Sequence, residues 1–405
     1  MRDPRHIFLT VIFVAFVFGV PMTQGALDIV VDEMPPQVLD LFDLPPASEE
    51  LSLFGKAVQK LKDIMDGERL RQFEKALEDN SYFEEQGRYG YQVASVLSTG
   101  ALGEKAIRGD QGWFFYTPGV KYLAEPHYES PRSASFGQQD PIDTIVDFSN
   151  QLKERGIDLL VVPVPGKASI YPDRLTTSME PSPEVYANTL VLREKLEERS
   201  IPVFDLHRVL AETRATDSDR QLYMKTDTHW TGEGVRIAAR ALAAAIREGG
   251  WAGERSLAPP YHRERVDVVR RGDVIEMTKI PGRKTLFADE MVQVFQVRDA
   301  AGEPYQDDPQ STILWLGDSF SRVFQTDEPG SAGIIANVAY ELGMPLASIV
   351  NDGGASTLVR EQLAKQYELL EGKRLVVWEF IERDIRFGRK GWEKVEIWPI
   401  GVGHP

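Results

Sequence analysis

The chain has 405 residues, a formal net charge of −16 and no cysteine. At about 150 residues per domain the length allows two or three units or one large α/β domain, and it is ample for a full core. The acidic balance argues against nucleic acid as a general partner, because phosphate binding needs a cationic surface, and the lack of cysteine excludes disulfides, thiolate metal sites, a cysteine nucleophile and a lipidated cysteine.

Arg2 and Arg5 precede the apolar stretch Ile7 to Val20, and the next charge after them is Asp28. Residues 1–27 therefore read as an export signal, either cleaved near Thr23 and Gly25 or kept as a membrane anchor. Residues 28–80 are acidic and proline-rich, then helical in pattern around Leu53 to Leu77, which predicts a spacer and a packing helix. Residues 81–400 form the expected main domain.

From about residue 140, short apolar runs alternate with helical periodicity, the pattern of βαβ units and a largely parallel sheet. The predicted strands are Asp158 to Val164, Ile201 to Phe204, Thr312 to Leu316, Ala347 to Val350 and Arg374 to Trp378. The predicted helices are Ile142 to Glu154, Pro183 to Glu198, Gly234 to Arg247, Ser331 to Leu342 and Thr357 to Leu370. Residues 249–310 break the rhythm and read as a β-containing insertion. The nearest basic cluster, Arg263, Arg265, Arg270 and Arg271, lies here, but Glu264 and Asp267 interrupt it and it makes no cationic run.

Chemistry concentrates in two stretches. Ser319, in Gly317-Asp318-Ser319-Phe320-Ser321, follows a predicted strand, and ligands in open α/β sheets bind beyond the carboxyl ends of strands. Gly317 also suits an ordinary turn that Asp318 or Ser321 would cap, and Ser321 stands where the Gly-x-Ser-x-Gly elbow has its second glycine. In Asp227-Thr228-His229-Trp230, an extended backbone would turn Asp227 and His229 to one side, ahead of a helix capped by Thr231.

Together these residues match the division of labour for acyl transfer: Ser319 as nucleophile, His229 as base and Asp227 orienting the ring. The alternatives are that Asp227, Thr228 and Thr231 are competing caps, or that Asp227, His229 and Glu233 bind a metal; no second ligand cluster supports the latter, and none is assigned. For an oxyanion, the Ser319 amide is one donor candidate and Asn351, in Val350-Asn351-Asp352-Gly353-Gly354, a weaker one that also reads as a turn.

These two motifs, with Gly112-Trp113-Phe114-Phe115, Pro163-Val164-Pro165-Gly166-Lys167 running on to Tyr171-Pro172, Arg271-Gly272-Asp273 and Trp378-Glu379-Phe380-Ile381-Glu382-Arg383, make residues 100–390 resemble the alginate O-acetyltransferase family. These are the AlgJ- and AlgX-like periplasmic acetyltransferases, whose catalytic domain is related to SGNH hydrolases. The resemblance implies an α/β SGNH-hydrolase-like fold, a largely parallel sheet flanked by helices with circularly permuted motif order, and Asp227, His229 and Ser319 as the triad. It implies acetyl transfer to hydroxyls of an exported polysaccharide through an acetyl-serine, with acetyl supplied through a membrane-bound O-acyltransferase. Periplasmic location, free or anchored to the inner membrane, follows from the same likeness. No coenzyme A motif is visible, so no cofactor is expected.

Lys167, Tyr171, Glu379 and Arg383 lie near predicted strand ends and are candidate substrate-site residues, or else surface ion pairs and helix caps. No carbohydrate-binding module is expected after Trp398, which leaves polymer capture to other surfaces or proteins. Two rival functions remain at this stage: a secreted carbohydrate esterase using the same triad, and a non-catalytic polysaccharide-binding scaffold.

Overall fold

The computed structural model describes residues 18–19, 22–30, 35–44, 46, 52–79, 102–124, 140–176, 187–252, 260–280, 286–352, 356–387 and 391–398. It divides into two compact units, Met1–Gly100 and Ala101–Pro405. The first contains helices α1 (Leu53–Ile64) and α2 (Gly67–Asp79). Ser52 caps α1 by accepting from the Gly55 amide at 3.2 Å, and Asp66 caps α2 by accepting from Glu68 and Arg69 at 3.1 and 2.9 Å. The single helical pattern in the sequence is thus two helices, broken where Asp66 restarts the ladder. Among the described residues no helix is long and apolar enough to cross a membrane. The export signal or anchor, at residues 1–17 above all, lies outside them.

Among the described residues the second unit has eight strands: β1 (Ala106–Arg108), β2 (Phe114–Tyr116), β3 (Asp158–Val164), β4 (Tyr261–Arg270), β5 (Glu290–Asp299), β6 (Ile313–Gly317), β7 (Ala347–Val350) and β8 (Leu375–Ile381). Four build the central sheet in the order β3-β8-β6-β7, every neighbouring pair parallel. β1 pairs antiparallel with β2, and β4 with β5 in a ten-residue ribbon.

Side chains of a strand alternate between faces, and here both faces are covered. Leu160, Val162, Ile313, Trp315, Leu375 and Val377 join one core with Val235, Ala238 and Leu242 of α5 (Gly232–Glu248) and Ile334 and Val338 of α7 (Ile334–Leu342). Leu159, Val161, Leu314, Leu316, Val376 and Trp378 join the other, with Ile145 and Phe148 of α3 (Pro141–Lys153), Leu192 of α4 (Ala187–Glu197) and Val359 of α8 (Leu358–Ala364). Helix α6 (Ser319–Arg322) is a single turn after β6.

Three expectations shift. Ile201 to Phe204 makes one bridge, Val203 to Val161, and no strand, because Pro202 offers only its carbonyl to the outer edge of β3. The predicted helix Thr357 to Leu370 is α8 followed by a 3-10 turn, Tyr367–Leu370. β8 runs three residues past its expected end and takes in Glu379. The start of the helix predicted from Pro183 lies outside the described residues.

Candidate active site

The parallel order of the sheet gathers the carboxyl ends of β3, β6, β7 and β8 along one edge, and there the turn after β6 presents Ser319, half-buried. Asp318 shapes this turn: its Oδ1 accepts from the Phe320 amide and its Oδ2 from the Ile381 amide, each at 2.8 Å. Gly317 is required by close approach, since a Cβ there would lie 2.1 Å from Ser321 Oγ and 2.8 Å from Glu379 Oε2. Phe320, fully buried, packs its ring 4.7 Å from that of His229 and 5.3 Å from that of Trp230.

Asp227 and His229 come from a loop closed by hydrogen bonds from Thr231 N to Leu222 O (2.9 Å) and Met224 N to His229 O (3.1 Å), with a bridge between Tyr223 and Trp230. Thr231 caps α5 through Gly234 N at 3.2 Å. The two stretches meet: His229 Nε2 lies 2.9 Å from Ser319 Oγ, and His229 Nδ1 lies 2.6 Å from Asp227 Oδ1. Asp227 Oδ1 also accepts from the His229 amide at 3.0 Å, while Oδ2 accepts from the Asp273 amide at 3.2 Å and has Arg270 at 3.7 Å.

This geometry sets the charges. Burial pushes the Asp227 carboxyl up, but the His229 ring and amide and Arg270 pull harder and hold it well below the usual carboxylate range. Burial likewise works against a charged His229, yet the Asp227 charge and hydrogen bond, with Asp273 and Asp318 behind them, leave the ring above its ordinary 6.5. Burial and the Asp227 charge raise Asp273.

Three side chains pin the loop. Asp273 accepts from the Thr228 amide and hydroxyl, both at 2.6 Å. Glu290 accepts from the Lys225 amide at 2.9 Å and from the Thr226 amide and hydroxyl at 3.1 and 3.0 Å. Lys167 donates to the carbonyls of Met224, Lys225 and Asp227 at 3.0, 3.0 and 2.6 Å. Sequence reasoning quoted Asp273 for likeness alone and missed Glu290, which has no local signature. Gly272 lets the Asp273 segment approach, since a Cβ there would lie 2.0 Å from the Thr226 carbonyl oxygen.

The substrate-site candidates are placed differently from one another. Lys167 is buried and spends its ammonium on the loop, with burial bringing its pKa down to about 8. Tyr171 is buried too: its hydroxyl accepts from Leu222 N at 2.9 Å and donates to Arg220 O at 3.3 Å, and its ring stacks on Trp113 at 4.3 Å. Glu379 is fully buried within β8 behind the serine turn. Arg383 lies over the Tyr116 ring at 5.2 Å. Asn351 follows β7, its amide donating to Gly317 O at 3.0 Å and its Nδ2 to Gln362 at 3.4 Å; Gly353 and Gly354 lie outside the described residues.

The metal alternative changes composition. Glu233 faces Arg236 at 2.6 Å and Arg220 at 3.5 Å, and Asp273 instead joins Asp227 and His229 in a cluster with ligand atoms within 4.8 Å. Their donor atoms already carry the hydrogen bonds described above, so the cluster fits a proton relay better than a metal cage.

Lys167→Met would take the ammonium from three carbonyls; Lys225 O keeps the Phe114 amide at 2.8 Å, and those of Met224 and Asp227 are the groups left unsatisfied. At about 1–3 kcal/mol for each buried group left unsatisfied, water filling part of the gap, we expect about 3 kcal/mol of lost stability. Calorimetry should show the thermal midpoint falling by several degrees, with turnover reduced at least about tenfold. An unchanged midpoint and turnover would remove the clamp assignment.

A family profile described as "SGNH hydrolase-like domain, acetyltransferase AlgX" matches residues 106–382. The probable alginate O-acetylase AlgJ of Azotobacter vinelandii is 21% identical over 332 residues, 79% of this chain and 80% of that protein. That of Pseudomonas fluorescens is 32% identical over 99 residues, and the match spans only 24% of each chain. Among solved structures, the O-acetyltransferase domain of Pseudomonas putida AlgJ superposes with a TM-score of 0.55 at 20% identity, covering 70% of this chain and 92% of that one. Pseudomonas aeruginosa AlgX gives 0.51 at 18% identity, covering 68% and 61%. At these identities the structural likeness speaks for the fold. The profile spans well over half the chain, and on that ground the protein belongs to the SGNH hydrolase-like acetyltransferase family of AlgX and AlgJ and is an acyltransferase.

Proposed function

We propose that the protein transfers acetyl to hydroxyls of an exported polysaccharide through an acetyl-Ser319 intermediate. The observation that carries this reading is the hydrogen-bonded line from Ser319 through His229 to Asp227, with steps of 2.9 and 2.6 Å. Ser319 Oγ attacks the donor's acetyl carbonyl as His229 Nε2 takes its proton. The tetrahedral oxyanion is stabilised by amide donors, the Ser319 N–H first among them; the leaving group then departs with the proton from His229. In the second half an acceptor hydroxyl gives its proton to His229 and attacks the acetyl carbon, and Ser319 leaves with that proton. Asp227 fixes the tautomer and stabilises the imidazolium in both halves.

The relatives' name makes alginate the first acceptor to test. We place the protein in the periplasm, with acetyl delivered through a membrane-bound O-acyltransferase; the charged and apolar N-terminus supports export, with or without anchoring. Purified protein incubated with an acetyl ester and oligomannuronate should yield acetylated sugar. Acetate release with no acetylated sugar would overturn the transferase in favour of an esterase.

The pH profile follows from His229. The resting base must be neutral, so formation of the acetyl-enzyme should fall away on the acid side with a midpoint above 6.5. Stability leans the other way: a raised folded-state pKa contributes fully below 6.5, and the contribution is lost as pH rises through the raised value. A kinetic midpoint at or below 6.5 would contradict this charge balance.

A further inference from the structure

Glu379 is an acid in an apolar row. On β8, Leu375, Val377 and Ile381 face the core that also holds Trp315 and Phe320, and Glu379 occupies the same face, fully buried. Its Oε2 accepts from the Asp318 amide at 3.2 Å and from the Ser321 hydroxyl, which in turn accepts from Trp315 Nε1 at 2.7 Å. Asp318 and Ser321 are the residues on either side of Ser319-Phe320, so one carboxyl group grips the nucleophile turn at both ends. Gly317 supplies the room for it, since a Cβ there would collide with both Ser321 Oγ and Glu379 Oε2.

We propose that Glu379 is the positioning residue of the nucleophile turn and that it works as a neutral acid. The proposal rests on the reading of Ser319 as nucleophile. Its physical basis is that Oε1 is buried with no donor reaching it, and no cation pairs with the group among the described residues. The titratable groups facing it are Asp318, from the turn after β6, and Tyr223, from the base-bearing loop. Asp318 has a backbone donor on each oxygen, whereas only one oxygen of Glu379 is served. Of two neighbouring buried carboxyl groups, the one with more complete donors keeps the charge, and the other keeps the proton. Burial and the Asp318 charge accordingly push Glu379 well above the carboxylate range. A second negative charge here would also sit on the Asp318 amide, next in the chain to the Ser319 amide that must stabilise the oxyanion.

The test reads Ser319 without requiring the native donor. Phenylmethylsulfonyl fluoride labels activated serines, and the modified residue is identified by mass spectrometry. Glu379→Gln keeps an acceptor for Ser321 and Asp318 and a neutral N–H donor toward the Asp318 carboxylate, so it should label Ser319 close to the wild-type rate. Glu379→Ala should label at least about tenfold more slowly, the loss of about one hydrogen bond's free energy. In the infrared, the wild type should show a protonated-carboxyl C=O band that Glu379→Gln removes. Equal labelling of the alanine variant overturns the positioning role. A glutamine variant as slow as alanine, or one that removes no such band, overturns the neutral acid. If the alanine variant does not fold, the glutamine variant and the band still decide. If wild type itself goes unlabelled, the Ser319 reading is at fault, and the band alone judges Glu379.

Discussion

Ser319→Ala is expected to reduce acetyl transfer by about 10⁴-fold or more, because removing the nucleophile of a triad leaves only binding and oxyanion stabilisation. The fold should be unaffected. Ser319 is half-buried, and the bonds that shape its turn belong to Asp318, Ser321 and Glu379. The measurement is acetylated oligosaccharide formed per enzyme, with intact mass after mixing with the acetyl ester: wild type should gain one acetyl group, and the alanine variant none. A variant that still acetylates the acceptor at the wild-type rate would remove Ser319 from the chemistry and favour a scaffold.

Asp227→Asn should be nearly as damaging, about 10³–10⁴-fold, for a reason visible in its partners. Both carboxylate oxygens accept: Oδ1 from the His229 amide and ring, Oδ2 from the Asp273 amide with Arg270 nearby. An asparagine has only one acceptor. With its NH₂ toward His229, the ring must offer Nδ1 as acceptor and carry its proton on Nε2, where it cannot take the Ser319 proton. With its NH₂ the other way, it meets the Asp273 N–H and the Arg270 guanidinium, donor against donor. Either orientation also removes the charge that raises His229, so the residual acid limb should move to lower pH. Full activity in this variant would mean that another group orients the ring, and Asp273, 3.6 Å from Nδ1, would be the first candidate.

The sheet was legible because its evidence is local. Val, Ile and Leu runs bounded by Gly and Pro need no knowledge of the rest of the chain, and β3 and β7 fall on their predicted residues. Ser319 and His229 rest on equally local signs: Ser319 sits where an apolar run meets a capped turn, and His229 stands two residues after Asp227 just ahead of the helix that Thr231 caps. The supports were less accessible. Lys167 after a Pro-Gly pair resembles any surface lysine until the loop at residues 224–227 closes over it. Glu290 reaches the Lys225 amide across 65 positions, and a glutamate at a strand end carries no sign of that errand. Glu379 was misjudged through a strand boundary: three more residues of β8 turn a presumed rim acid into an interior one.

The β4–β5 ribbon limits how far such a chain can be trimmed. In sequence it reads as a removable interruption, and a splice from Trp251 to Ser311 would keep every member of the triad. It would also delete Arg270, Asp273 and Glu290, which touch Asp227, Thr228 and the Lys225–Thr226 backbone respectively. The excised segment is therefore the outer half of the mould in which the base is cast, and a transplant of this chemistry into another scaffold has to carry that half with it.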